Sequence, residues 1–126
     1  MREIKFRIWD EHNKTWLNKK TFSISQNGDI VRNMSMGSIG GVVLEQYTGL
    51  KDKNGAEIYE GDIVKLYSDE IGSLIPFVFM GVVNFIECGF WVDNMKDMAF
   101  PVFQEIATWE VIGNIHQNPE LCDHNE

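Results

Sequence analysis

Basic residues almost vanish from the second half of this sequence. Residues 67–126 hold one, Lys96, against ten acidic residues, whereas residues 1–66 hold ten Lys and Arg against nine Asp and Glu. The halves sum to a net charge of -8 over 126 residues. Phosphate backbones are gripped by clustered Lys and Arg, so the second half excludes an ordinary nucleic-acid groove. Cysteine is scarce too. Cys88 and Cys122 make no disulfide framework, and a reducing cytosol is the simpler setting. No apolar run is long: the stretch from Leu74 to Val83 is about half a membrane span. The opening residues alternate in polarity and do not read as a secretory signal. A cytoplasmic protein with no membrane association is expected.

Catalytic signatures are missing as well. No glycine-rich phosphate loop, nucleophile elbow, His-Glu-x-x-His or Cys-x-x-Cys occurs. Cys122, Asp123 and His124 with His116 lack the second ligand pair of a structural zinc site. The expectation is therefore a protein without catalytic residues, metal or cofactor, and not an enzyme.

What the sequence does hold is alternation, broken by Gly and Asn. Residues 4–9 alternate apolar and charged, which is a strand with Ile4, Phe6 and Ile8 on one face. Thr15-Trp16-Leu17 starts a second strand. Phe22 to Val31, with Asn27-Gly28 inside, is a hairpin pattern because both turn residues tolerate positive φ. Residues 33–41 are a glycine-rich flexible loop and the candidate domain boundary. Beyond it come Val42 to Leu50, a turn ending in Asn54-Gly55, and Gly61-Asp62 leading into Ile63 to Tyr67. A long strand or hairpin arm over Ile75 to Glu87 has Gly81 at its middle, read as a bulge or sharp bend. Phe90 to Val92 follows. Pro101 marks an edge strand, residues 103–108 read as one helical turn, and Trp109 to Ile115 is the last strand. Short strands, sharply bent at Gly81, Gly89 and Gly113, predict a mainly β fold closing into a small barrel.

Four segments carry a resemblance. They are Arg2 to Asp10, Gln46-Tyr47-Thr48-Gly49-Leu50-Lys51-Asp52-Lys53-Asn54-Gly55, Ile58-Tyr59-Glu60-Gly61-Asp62-Ile63-Val64 and Trp109-Glu110-Val111-Ile112-Gly113-Asn114-Ile115. With Asn118-Pro119-Glu120-Leu121, they make the chain resemble the YopX family of phage and prophage proteins. The resemblance implies a bacteriophage or prophage origin and an SH3-type barrel in the C-terminal part. It brings no established activity, cofactor or catalytic residue. The resulting architecture is an N-terminal β-hairpin arm over 1–45, an SH3-type barrel over 46–121 and a frayed tail over 122–126.

Two candidate surfaces follow. Tyr47, Tyr59, Glu60 and Asp62 form the most distinctive strings, and small barrels bind peptides on aromatic surfaces. Against this stands a structural reading, in which Gly49 and Gly61 permit turns and Asp62 bonds backbone amides. The second candidate is the basic start, where Lys5, Arg7 and Lys14 interleave with Trp9 and Trp16 and could contact nucleic acid. Four Trp and eight Phe are many for a small barrel to bury, so the run Ile75 to Met80 is a candidate subunit interface. The leading expectation is a non-enzymatic interaction module that pairs with itself and with a host or phage protein. Nucleic acid is not expected at the acidic barrel.

Overall fold

The computed structural model describes residues 3–18, 22–32, 41–68, 78–103 and 107–122. They form a mainly β protein with eleven strands and one short 3-10 turn. Among the described residues no helix is long and apolar enough to cross a membrane. The chain divides into two compact units, Lys5–Gln46 and Met1–Ile4 with Tyr47–Glu126.

In the Lys5–Gln46 unit, β1 (Phe6–Asp10) pairs antiparallel with β2 (Thr15–Trp16) and with the first part of β5 (Val42–Lys51). Asp10 shapes the β1–β2 turn. Its Oδ1 accepts the amides of His12 and Asn13 at 3.0 and 3.2 Å, which satisfies donors the turn leaves over. The Asn13 side chain donates to Oδ2, and this bond leads the causes that hold the Asp10 carboxyl below its ordinary range. A separate hairpin joins β3 (Phe22–Ile24) to β4 (Ile30–Arg32). Gly28 sits there at φ 90°, where a side chain would be strained. Burial in β1 departs from the one-faced reading. Ile8 and its neighbour Trp9 are both buried, while Ile4 is exposed. A strand covered on both sides buries consecutive residues, so alternation alone misplaces its apolar set.

In the other unit, β7 (Asp62–Ser68), β8 (Val78–Ile86), β9 (Gly89–Asp93) and β10 (Ala99–Pro101) run as an antiparallel meander. β11 (Ala107–Asn114) returns to pair with β7, giving the order β10-β9-β8-β7-β11. The sheet curls into a half-barrel, with β10 and β11 as its two edges. Ile58, Val64, Leu66, Phe79, Val83, Val92, Val102 and Trp109 make the core. Ile58 comes from β6 (Glu57–Tyr59), which pairs with the second part of β5.

Three sequence expectations change here. Gly81 is not a bulge: the β7–β8 and β8–β9 registers run through without a shift. It is a close approach instead, because a Cβ there would stand 2.7 Å from the Asp93 carbonyl oxygen. The helical turn expected over 103–108 does not form at its end, since Ala107 and Thr108 pair with Ser68 and Tyr67 in β11. Residues 104–106 of that reading lie outside the described residues, as do residues 33–40 of the expected loop. Of the expected interface run, Phe79 is a core residue and Ile75 to Phe77 lie outside the described residues. Among the described residues of this sheet, the register shifts between Val111 and Gly113, at a bulge in β11.

Candidate functional site

The family-like strings turn out to be the joints of the half-barrel. Asp52 opens the β5–β6 turn, and its Oδ1 accepts the amides of Asn54 and Ala56 at 2.8 and 2.9 Å. Its Oδ2 accepts the Val111 amide at 2.9 Å, beside the β11 bulge. Burial pushes the Asp52 carboxyl up, but these three amides outweigh burial and hold it below the ordinary range. Asp62 Oδ2 accepts the Tyr59 amide at 2.8 Å, closing the Tyr59–Asp62 turn. Gly61, at φ 84°, donates its amide to the Val83 carbonyl and accepts the Ile115 amide. Asn114 Oδ1 takes the His116 and Gln117 amides, and Asn118 Oδ1 takes the Asn114 amide.

Tyr47, Tyr59 and Asp62 are buried and Glu60 is half-buried. The two tyrosine rings lie 5.4 Å apart across the β5–β6 pair, and the Tyr59 hydroxyl donates to Glu57. The structure thus brings these residues together as packing and turn chemistry.

The basic start is similarly engaged. Arg7 sits opposite Glu45 on β5 and donates Nε–H to its carboxylate at 2.9 Å. Its guanidinium also lies 4.4 Å over the Trp16 ring. Trp16 meets buried Trp9 edge-on at 5.0 Å. Lys14 is exposed, 3.5 Å from Glu11, and Lys5 is half-buried. Arg7, Trp9 and Trp16 are brought together, but by one another.

The open chemistry lies elsewhere. A cleft of about 430 Å³ is lined by Leu50, Glu87, Phe90, Trp91, Pro101 and Phe103, with Thr48, Gly89 and Val102. It falls in the size range of ligand-binding clefts. Leu50, Val102 and Phe103 also line a neighbouring cleft of about 240 Å³ with Lys51, Asp52, Lys53, Ile58, Thr108 and Trp109. The floor is fixed by the core: Val102 donates its amide to the Phe90 carbonyl, and Trp109 donates its indole N–H to the Val102 carbonyl at 2.6 Å. Phe103 stands 63% exposed at the rim.

Glu87 occupies the two-residue turn between β8 and β9. Glu87 and Cys88 have φ of 46° and 69°, left-handed values that cost a non-glycine residue about 1–2 kcal/mol each. Asn-Gly would adopt such a turn more easily. Among the described residues, no group pairs with the Glu87 carboxylate. Sequence reasoning missed this site. The positive-φ turn carries no Asn-Gly signal, and Leu50, Phe90 and Phe103 are brought together only by long-range pairing.

Fold and cleft together define a small, mainly β protein with a curled half-barrel sheet and an aromatic-lined cleft. Its sequence matches the model of the YopX protein family over residues 5–123, and the chain belongs to that family. Protein EF1440 from Enterococcus faecalis has a similar solved structure, with 30% identity, TM-score 0.60, and 98% of this chain and 100% of that one covered. Protein yopX from Bacillus subtilis is also 30% identical, with TM-score 0.62 and 96% and 98% covered. No curated protein matches this chain.

Proposed function

We propose that this chain is a phage- or prophage-encoded, non-enzymatic protein-interaction module of the bacterial cytoplasm. It is built on an SH3-type barrel and associates with itself. The strand order supports the barrel type: four strands in a meander, with a fifth returning to the first, is the SH3-type order. The observation that carries the interaction reading is the apolar end of the β8–β9 hairpin. Phe85 and Ile86 are 54% and 38% exposed there, and Phe85 packs edge-on against Phe90 at 5.1 Å. Exposed apolar clusters of this kind mark contact surfaces. The acidic second half adds complementarity to a basic partner surface.

The test is sedimentation equilibrium at micromolar concentration. The expected mass exceeds the 14.5 kDa monomer, and the double variant Phe85→Ser, Ile86→Ser returns it to the monomer. A clean monomer for the parent protein sinks the self-association. The nucleic-acid reading of the basic start has less behind it. Trp9 is buried and Arg7 is held by Glu45 and Trp16, so neither presents a free stacking face or cation.

A further inference from the structure

We infer that the cleft below the β8–β9 turn binds a cationic side chain carried on an extended, apolar-flanked segment of a partner protein. The inference rests on the reading of the barrel as a protein-interaction module and names its partner chemistry.

Three aromatic residues, Phe90, Trp91 and Phe103, line this cleft together with one charged group, Glu87. The strained turn holds Glu87 at this position, and the carboxylate has no partner among the described residues. Glu87 is exposed at the rim of the cleft, so an apolar ligand leaves that carboxylate in water and gains nothing from it. An anion would meet Glu87, the one charged residue that lines the cleft. A cation gains the carboxylate directly and gains the electron-rich faces of the rings as well. Ligand charge is therefore set by what the cleft holds.

The ligand's extended form follows from the second cleft. The two clefts share Leu50, Val102 and Phe103, so they are adjacent subsites. An extended chain drops successive side chains into such subsites. The subsites differ in charge, since Glu87 lines the first, while Lys51 and Lys53 line the second with Asp52, whose carboxylate is taken up by three backbone amides. The cation accordingly belongs in the Glu87 subsite, with an apolar side chain on the Ile58 and Trp109 side.

The test uses the full chain and a fluorescein-labelled hexapeptide, Gly-Leu-Pro-Arg-Leu-Pro, read by fluorescence anisotropy at low salt. Saturable binding is expected. Replacing the peptide's Arg by Gln weakens it at least about tenfold, as loss of a charge-assisted contact does. Glu87→Gln and Phe103→Ala weaken binding of the Arg peptide to a similar degree, while added salt weakens it in the parent protein. Both substituted residues are exposed, so an unchanged thermal midpoint confirms that the variants fold. Equal binding of Arg and Gln peptides overturns the inference, as does a Glu87→Gln variant that binds like the parent, or no binding at all. If Phe103→Ala abolishes both peptides equally, the module reading stands and only the cation falls. If Phe103→Ala instead turns an oligomer into a monomer and neither peptide binds, a second copy occupies the cleft and the inference is wrong.

Discussion

Aromatic rings meet charge in two places in this molecule, and the two are built in opposite ways. In the Lys5–Gln46 unit the Arg7 guanidinium is held between the Glu45 carboxylate and the Trp16 ring, and Trp16 leans on buried Trp9. In the other unit Glu87 and the 63% exposed Phe103 line an open cleft, and the carboxylate has no partner among the described residues. The basic start looks like a binding arm in the sequence because its charges are concentrated. Concentration does not measure availability, however: a cross-strand carboxylate and a tryptophan are enough to occupy Arg7. The cleft has a single charge and no local enrichment, yet that charge faces outward.

The comparison breaks most sharply at Trp9. Trp9→Ala removes a buried ring and its edge contact, and should cost about 4 kcal/mol in chemical denaturation. A cost below about 1 kcal/mol, typical of surface sites, would mean the ring is not packed as described.

Asp52 comes next. Asp52→Asn swaps a carboxylate with three amide donors for an amide that repels one of them, at about 3 kcal/mol near neutral pH. The carboxyl is held below its ordinary range when folded, so its stabilisation is present above the unfolded value near pH ~3.9. It is lost as pH falls through the lower, folded value. The stability gap between parent and variant should thus be level from pH 7 to about 5 and close below about 4, as read from denaturation midpoints. A constant gap down to pH ~2.5 would remove the charge from this account.

Arg7→Gln leaves the buried Glu45 carboxylate short of its charged donor, and about 2 kcal/mol should be lost. The smallest expected effect is Phe103→Ser, which should change stability by less than about 0.5 kcal/mol because the ring is mostly in water. If Phe103→Ser costs more than Arg7→Gln, the contrast between a closed and an open cluster is reversed.

Local features were legible in the sequence, and long-range ones were not. Asn27-Gly28 marks the β3–β4 turn because it tolerates the left-handed φ found there. Pro101 lies in edge strand β10, where its missing donor is harmless. Gly61-Asp62 and Asn118-Pro119 punctuate the chain at a turn and at the 3-10 turn Pro119–Cys122. The bulge reading of Gly81 failed because what this glycine makes room for is the backbone at Asp93 on another strand. Burial of both Ile8 and Trp9 was hidden for a similar reason: alternation reports one covered face, and β1 has two. The cleft was the least legible part. Its residues come from β5, the β8–β9 turn, β9, the end of β10 and the chain after it, and none is unusual in its own neighbourhood. Tyr47 and Tyr59 were conspicuous as motifs, and the structure uses them as a packed cross-strand pair.

The Asp52 clamp also bears on the order in which the chain assembles. Two of its bonds reach only two and four residues away, and the third spans 59. The short ones form as soon as the β5–β6 turn does, at little loop-closure cost. The Val111 bond needs β11 to reach Oδ2 across 59 residues, at a larger loop-closure cost. A contact completed after the folding barrier slows unfolding without speeding folding. Where β11 docks after that barrier, Asp52 is a latch on this strand, and Asp52→Asn speeds unfolding more than it slows folding.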